Sequence, residues 1–146
     1  MSLRNQSITS LLAAGLAACG GTSFEPLIHE LPDGAPVRIT VAPGTYSAGG
    51  TVPLVVRNLG DNDYNWDPCS RSLERHIGAE WVTGDERPRV CPSRRGWMLD
   101  AGNETETTTR LDTPIPAGEY RFRYGFYRAD DNVTDQQVSN SFSVAR

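Results

Sequence analysis

Hydrophobic and polar residues alternate along most of the chain between Val37 and Arg146. In the clearest segment, Tyr120, Phe122, Tyr124 and Phe126 are separated from one another by single polar or small residues. Alternation with a period of two places successive side chains on opposite faces of the backbone, and it is typical of a β-strand with one buried face. The same pattern predicts strands around Val37–Val41, Val52–Val56, Tyr64–Trp66, Leu73–Ile77, Glu80–Thr83, Thr105–Leu111 and Val138–Val144.

Turn-forming residues separate these segments, as a chain of short strands requires. Pro43-Gly44 and Asn58–Asp61 interrupt the pattern, and Gly78-Ala79 predicts a β-hairpin between the strands on either side. Beyond residue 18, no apolar stripe with helical spacing lasts three turns. Seven or eight short strands in about 110 residues predict an all-β fold, an antiparallel β-sandwich.

Two sets of residues resemble those of known β-sandwich families. Ile115–Tyr120 resembles the tyrosine corner of immunoglobulin-like and fibronectin type III domains, in which the Tyr hydroxyl bonds to upstream backbone; Tyr120 would be that Tyr. The alternative is a Pro-Gly turn followed by an ordinary core aromatic residue. A wider set is similar to a bacterial Ig-like domain found in small envelope lipoproteins: Tyr64, Cys69, Leu73-Glu74-Arg75, Gly78, Trp81, Cys91 and Pro116–Arg121.

This second resemblance covers residues 37–146. It implies an Ig-like or fibronectin III-like antiparallel β-sandwich of about 7–8 strands. Its motifs are mostly structural, so it implies the fold far more than a function.

The first nineteen residues have the organisation of a secretory signal that ends at a cysteine. One positive charge, Arg4, precedes the apolar run Ile8–Ala18. At ~1.5 Å per residue, this run would span roughly 16 Å as a helix, about half of a bilayer core, so a membrane-spanning anchor is not predicted. Leu16-Ala17-Ala18-Cys19 resembles the lipobox of bacterial lipoproteins. The resemblance implies that Cys19 is lipidated and that the protein is located on the bacterial cell envelope, at the outer membrane if the cell is Gram-negative.

The secretory signal and the strand pattern together predict three regions in the chain. Residues 1–18 are a cleaved lipoprotein signal peptide, residues 19–36 a flexible tether, and residues 37–146 the Ig-like domain. The membrane is then a partner, because several acyl chains on one cysteine, palmitate among them, anchor a protein stably. The alternatives are an ordinary cleaved signal with a coincidental cysteine, and a buried N-terminal helix, which would need the polar face that this run lacks.

The cysteine count fits a secreted domain with one disulfide. If lipidation uses Cys19, then Cys69 and Cys91 remain as a pair in an oxidising compartment. Closing this loop of about 23 residues would stabilise the fold by roughly 3 kcal/mol. Zinc binding is the alternative, but two cysteines without a Cys-x-x-Cys motif, with only His29 and His76, make a poor ligand set, so no metal is predicted.

Charge and motif content argue against several functions. Beyond residue 18 the chain has 13 Arg and 18 acidic residues, a net charge of 13 − 18 = −5, which disfavours nucleic acid as a partner. The chain has no Gly-x-Ser-x-Gly motif, and neither histidine has a predicted nucleophile beside it, so no catalytic residue and no cofactor are predicted. A loop rich in oxygen ligands raises the possibility of calcium, although turn chemistry alone favours its residues: Asp130, Asp131, Asn132 and Asp135.

An arginine-rich segment around Cys91 is the candidate binding surface. Its members are Arg87, Arg89, Arg94, Arg95 and Trp97. Arg and Trp are favoured at binding hot spots; the alternative is a polar loop whose Trp packs against the core. We therefore predict a non-catalytic, lipid-anchored envelope protein whose domain binds an envelope protein or glycan, or has a structural role. The alternative is a secreted proteinase inhibitor that uses the Arg87–Met98 loop, and a more distant one is a hydrolase.

Overall fold

All regular secondary structure in the described part of the chain is β-strand. The computed structural model describes residues 34–83, 96–112, 115–128, 130 and 134–146. In chain order the strands are β1 (Val37–Val41), β2 (Thr45–Ser47), β3 (Thr51–Asn58), β4 (Tyr64–Trp66), β5 (Ser72–Ile77), β6 (Glu80–Thr83), β7 (Trp97–Leu99), β8 (Glu104–Arg110), β9 (Gly118–Arg128), β10 (Thr134–Val138) and β11 (Phe142–Ala145).

The strands form two sheets that pack face to face. The smaller sheet has the order β1-β3-β8, and the larger has the order β2-β11-β9-β4-β7, with β10 and β5 also paired with β9, and β6 paired with β5. The apolar positions of the alternating pattern face each other between the sheets. The core contains Ile39, Val52 and Leu54 from the smaller sheet and Trp66, Phe122 and Phe126 from the larger one. The predicted all-β, Ig-like sandwich is confirmed.

The described residues form eleven strands where about seven or eight were predicted, and four of them flank the long strand β9. One side of β9 pairs with β5 and then β4, and the other side pairs with β11 and then β10. β4 and β5 therefore share one position beside β9 and are separated by a break at residues 67–71. On the other side of β9, β10 and β11 share a position and are separated by a break at residues 139–141. Sequence alternation separated β4 from β5, but it treated β10 and β11 as one segment and did not predict the short strands β2 and β7. The pairing of β2 with β11 is parallel, whereas the other strand pairs are antiparallel.

Arg71 connects the two sheets at the break between β4 and β5. Its side chain is buried, its Nε donates a hydrogen bond to Thr109 Oγ1 at 2.7 Å, and a terminal nitrogen donates to the carbonyl of Arg110 at 2.7 Å. The guanidinium also lies 4.7 Å from the centre of the Phe122 ring. These contacts compensate the cost of taking a cation out of water. The break thus provides the space for a polar link through the core.

Tyr120 makes the backward hydrogen bond that the tyrosine-corner resemblance predicts. Its hydroxyl donates to the carbonyl oxygen of Pro116 at 2.6 Å, while its ring is buried against Phe142. The bond ties the segment that enters β9 to the strand itself. The turn before β9 is therefore held by a side chain as well as by its Pro-Gly composition.

Side chains also replace backbone pairing at the break between β10 and β11. The amide of Asn140 accepts a hydrogen bond from the backbone nitrogen of Val41 at 2.7 Å and donates to the Val41 carbonyl at 3.1 Å. Ser139 Oγ accepts from the backbone nitrogen of Phe122 at 3.0 Å. This break links β1 of the smaller sheet to the larger sheet.

Candidate functional site

Trp97 lies on β7, at one edge of the larger sheet, and is half exposed. In the register it is opposite Trp66, which is opposite Phe126 on the next strand. The Trp97 ring meets the buried Trp66 ring edge-on, with 6.0 Å between centroids, yet 47% of the residue remains exposed. Trp66 is itself held by a stacked contact with Phe126 at 5.7 Å. Trp97 is therefore supported by the core on one side and available to a partner on the other.

Two more large apolar residues are exposed near Trp97. Unlike Trp97, which is on the same face as the core residue Trp66, they lie on the outer face of the sheet. Met98 and Tyr127 both pair with Asn65, one from each side, and they are 58% and 48% exposed. Adjacent strands lie about 4.8 Å apart, so Met98 and Tyr127, two strand positions from each other, are about 10 Å apart with Asn65 between them. We call Trp97, Met98 and Tyr127 the edge cluster. Aromatic residues and Met are enriched in protein interfaces, so this combination is typical of a contact surface.

The other residues of the predicted binding surface lie outside the described residues. Arg87, Arg89, Arg94 and Arg95 belong to residues 84–95, which connect the end of β6 to the residue before β7. Of the predicted surface, the structure therefore places Trp97 alone among the described residues. Met98 ends the Arg87–Met98 loop of the inhibitor alternative. Tyr127 was not singled out as a binding residue, because sequence alternation does not show which strands are neighbours in the sheet.

Cys69 lies in the turn between β4 and β5. Its backbone nitrogen donates a hydrogen bond to Asp67 Oδ1 at 2.8 Å. The other two cysteines of the sequence, Cys19 and Cys91, lie outside the described residues, so the predicted pairing with Cys91 stays a prediction, as does lipidation of Cys19. The calcium loop is described only at Asp130 and Asp135; the carboxylate of Asp135 accepts a hydrogen bond from the Tyr64 hydroxyl at 3.2 Å.

A buried carboxylate on the outer face of the larger sheet was missed by sequence reasoning. Glu74 of β5 has a side chain only 6% exposed, and its two oxygens accept hydrogen bonds from Arg121 Nε and Arg123 Nε, each at 2.6 Å. The guanidinium of Arg121 also lies 4.4 Å from the centre of the Trp81 ring. We call Glu74, Arg121 and Arg123 the ion cluster. Its sequence signal is opposite charge at polar positions of two strands, but only the register shows that they meet.

The ion cluster changes the acidity of its carboxylate. Burial of Glu74 raises its pKa, but hydrogen bonds from Arg123 and Arg121, together with their positive charges, outweigh burial and lower the pKa below the ordinary value for glutamate. Glu74 is therefore ionised in the folded protein at neutral pH. Both arginines are already engaged by this carboxylate, so the cluster is a structural link between β5 and β9 more than a site for an external anion.

His76, the described candidate base, lies next to this cluster. Its Nδ1 is 3.5 Å from Glu119 Oε2, and its ring packs against Trp81 with 4.8 Å between centroids. Within the described ranges, no three His, Cys, Asp or Glu side chains are arranged to hold a metal ion. The same ranges contain no helix of the length and apolar content needed to cross a bilayer.

Comparison with known proteins finds similarity in solved structures but none in sequence families. No protein-family model and no curated protein matches the chain. A chaperone–tip adhesin complex of Csu pili from Acinetobacter baumannii matches with 12% identity and a TM-score of 0.45, over 75% of this chain and 51% of that one. A Niemann-Pick type C2 protein from the Japanese carpenter ant matches with 10% identity and a TM-score of 0.46, over 80% and 99%. The PapD-like domain 7 of human CEP192 matches with 13% identity and a TM-score of 0.41, over 97% and 96%.

The chain thus spans about half of the length of the first of these structures. At 10–13% identity and with TM-scores below 0.5, these likenesses carry no argument about function. The class of protein is defined by the strand order and the core described above: an Ig-like β-sandwich.

Proposed function

We propose that the chain is a lipid-anchored protein of a bacterial envelope and that its Ig-like sandwich is a non-catalytic binding module. The anchor is supported by the sequence Leu16-Ala17-Ala18-Cys19, which resembles a lipobox at the end of a charged and then apolar leader. In this proposal Cys19 carries the acyl chains, and residues 20–36 separate the membrane from the sandwich. The partner is an envelope protein or glycan.

The edge cluster is the observation that supports binding. Trp97 and Met98 are adjacent residues whose side chains leave β7 on opposite faces, and Tyr127 lies two strand positions from Met98, on the other side of Asn65. Exposed side chains of these types on a rigid scaffold are typical of an interaction site, because Trp and Tyr bury a large apolar area with only two rotatable bonds each and Met adapts its shape to a partner. The four arginines of the predicted binding surface lie two to ten residues before Trp97 in the sequence, at positions 87, 89, 94 and 95, and would add positive charge to the site.

The proposed disulfide between Cys69 and Cys91 would support this surface. Cys69 lies in the turn that follows β4, and β4 pairs directly with β7. A bond from this turn to position 91 would restrict the segment that leads into the edge cluster. A segment that is ordered before binding loses less conformational entropy when the partner arrives.

The anchor is tested in bacterial cells that express the full chain. Cys19→Ser is expected to abolish incorporation of a labelled fatty acid and to move the protein out of the membrane fraction. Globomycin, which blocks the lipoprotein signal peptidase, is expected to cause the precursor to accumulate. Cleavage and solubility that are the same with and without Cys19 would overturn the anchor.

The binding module is tested by crosslinking in intact cells, followed by mass spectrometry of captured partners and titration of the partner found. Trp97→Ala is expected to weaken capture at least tenfold, about 1.4 kcal/mol, as for a hot-spot residue. Ile77→Ala is the matched control, because Ile77 is similarly exposed but lies in the β5–β6 hairpin. Equal capture by both variants, once both are shown to be folded, would overturn the role of the edge cluster. Stoichiometric inhibition of a member of a protease panel would instead favour the inhibitor alternative.

A further inference from the structure

The two sheets of the sandwich differ in width. At one edge of the smaller sheet, β1 lies over the break between β10 and β11, where the Asn140 amide bonds to the backbone of Val41. At the other edge, β8 lies over the break between β4 and β5, where Arg71 bonds to Thr109. β3 is between them and lies over β9. β7 and β6 are one strand position further out than β4 and β5, and no strand among the described residues of the smaller sheet lies opposite them.

The exposure of apolar side chains agrees with this difference in width. Trp97 on β7 shares the inner face with the core residue Trp66, and Val82 on β6 lies on the inner face of its hairpin. Both side chains therefore point towards the side of the smaller sheet, yet they are 47% and 44% exposed. Leu99, at the end of β7 that leads into β8, is buried. We call the space beside β8 and over Trp97 the open strand position.

The backbone of β8 alternates between β3 and the open strand position. The backbone nitrogen of Leu111, just after the strand, donates to the Gly50 carbonyl at 2.8 Å, and the carbonyl of Asn103, just before the strand, accepts from Asn58 at 2.9 Å. In an antiparallel pair, residues that bond to one neighbour alternate with residues whose N–H and C=O point away from it. The odd-numbered residues of β8 therefore bond to β3, and the even-numbered residues point outwards.

The open part of this edge is the first five residues of β8. Its outward-pointing backbone groups belong to Glu104, Glu106 and Thr108, and no strand in the described ranges pairs with β8 on this side. Arg110, the next outward-pointing residue, ends the open part, because its carbonyl accepts a hydrogen bond from Arg71 at 2.7 Å. Five residues of strand measure about 17 Å, which is an ordinary strand length.

Charge on β8 indicates which strand would fit. Glu104 has Arg57 across β3, with 3.9 Å between Oε2 and Nε, whereas Glu106 has the apolar residue Val55 at the corresponding position. A basic side chain on an incoming strand would therefore be a favourable cross-strand neighbour for Glu106. Side chains on the other face of that strand would lie over Trp97 and should be apolar. An extended peptide in which apolar and basic residues alternate meets both requirements.

We infer that β8 receives an extended peptide of this kind as a further strand of the smaller sheet. In such strand addition, main-chain hydrogen bonds provide the affinity and alternate side chains provide the specificity. The inference rests on the proposed binding module, because Trp97 is common to both, and it narrows the partner to a polypeptide. The open strand position also gives a reason for the exposure of Trp97: its ring becomes covered when the added strand is in place.

The test measures amide hydrogen exchange by NMR on the full chain, purified in a mild detergent. The probes are two synthetic peptides of about seven residues: in one Val and Lys alternate, and in the other the same residues stand in separate blocks. The alternating peptide is expected to slow exchange at Glu104, Glu106 and Thr108 at least about tenfold, because their N–H groups gain acceptors. Thr105 and Thr107, which already face β3, should change little. Absence of this protection, or equal protection by both peptides, would overturn the inference.

Methylation of the peptide nitrogens separates strand pairing from apolar adhesion to Trp97. One peptide is methylated on its Lys nitrogens and another on its Val nitrogens. Only one of the two sets faces β8, whichever direction the peptide runs. One methylated peptide should therefore bind at least about tenfold more weakly than the other. Equal affinities would show that the peptide does not bind as a strand.

Charge reversal tests the expected neighbour of Glu106. Glu106→Lys is expected to weaken binding of the alternating peptide at least threefold, about what a change from opposite to like charge across a strand pair produces. Asp130→Lys makes the same charge change at an exposed residue beyond β9 and is the control. Equal effects of the two reversals would contradict the proposed register of charges.

The outcomes also separate this inference from the proposed function. If Trp97→Ala weakens capture in cells but the alternating peptide protects no amide of β8, the binding module stands and strand addition is wrong. Protection of β8 by the peptide is measured on purified protein and does not require Cys19. Failure of the anchor would therefore leave this result unchanged.

Discussion

Replacement of Glu74 by Gln tests whether the ion cluster holds β5 against β9. In the native protein each carboxylate oxygen accepts one hydrogen bond of 2.6 Å from an arginine. Glutamine keeps one acceptor oxygen but places an NH₂ group against the second guanidinium. The substitution therefore removes one charged hydrogen bond and the negative charge that both arginines face, with almost no change in volume.

The expected loss follows from how exposed the partners are. A hydrogen bond to a charged group contributes about 1.5–3 kcal/mol, and loss of one partner of a fully buried pair costs about 3–5 kcal/mol. The side chains of Arg121 and Arg123 are 17% and 36% exposed, so water solvates them in part when the carboxylate is removed. We therefore expect Glu74→Gln to lower the free energy of unfolding by about 2 kcal/mol near neutral pH.

The assay is chemical denaturation of the wild-type protein and the variant over a range of pH. Because the folded pKa of Glu74 lies below its unfolded value, its contribution is fully present above the unfolded pKa of about 4.3. That contribution is lost as the pH falls through the lower, folded pKa. The difference in stability between the two proteins should thus be constant near neutral pH and shrink in acid.

Glu104→Gln is the matched control. Glu104 Oε2 is 3.9 Å from Arg57 Nε, and both side chains are 57% exposed, so this pair should contribute less than about 0.5 kcal/mol. If Glu74→Gln costs no more than Glu104→Gln, the ion cluster does not stabilise the sheet. A cost that stays the same in acid would show that the ionised carboxylate is not its source.

Two further substitutions test the turn before β9 and the cysteine pairing. Tyr120→Phe removes the hydrogen bond to the Pro116 carbonyl and should lower the free energy of unfolding by about 1 kcal/mol in chemical denaturation. Tyr127→Phe, on an exposed tyrosine, should change it little, and equal effects would contradict the tyrosine corner. Cys91→Ser should lower the free energy of unfolding by about 3 kcal/mol and make it insensitive to reducing agent. A wild-type chain whose unfolding midpoint is unchanged by reduction would show that this disulfide does not stabilise the fold.

The alternation of hydrophobic and polar residues predicted the fold, because every strand of a sheet with one buried face needs apolar side chains on that face and polar ones on the other. The inward-facing aromatic residues of β9 and the hairpin at Gly78-Ala79 are where the pattern places them. The break between β4 and β5 was predicted, whereas the break between β10 and β11 was not, because it depends on contacts of Ser139 and Asn140 with distant segments. Arg71 is an example of what the sequence pattern does not predict. A charged residue is expected to be exposed, but Arg71 is buried because it donates hydrogen bonds to Thr109 and Arg110 in the opposite sheet.

The candidate site was less predictable than the fold. Trp97 was singled out from its residue type and its arginine-rich neighbours, but its exposure results from the position of β7 at a sheet edge. Met98 follows Trp97 directly in the chain, whereas Tyr127 comes near them only through the strand register, in which both Met98 and Tyr127 pair with Asn65. Glu74 was part of a recognised motif, yet its burial on an outward-facing position depends on a register that period-two alternation does not specify.

The edge strands of the larger sheet have a consequence for chains that are crowded on a surface. Among the described residues, the edge strands β2 and β7 have three residues each, β6 has four and β10 has five, so each offers few free backbone N–H and C=O groups to an incoming strand. Long, flat edges are templates for aggregation, whereas very short ones protect against it. Lipid anchoring would concentrate copies of the protein in two dimensions. Short edges allow neighbouring copies to collide through side chains such as Trp97 without fusing their sheets.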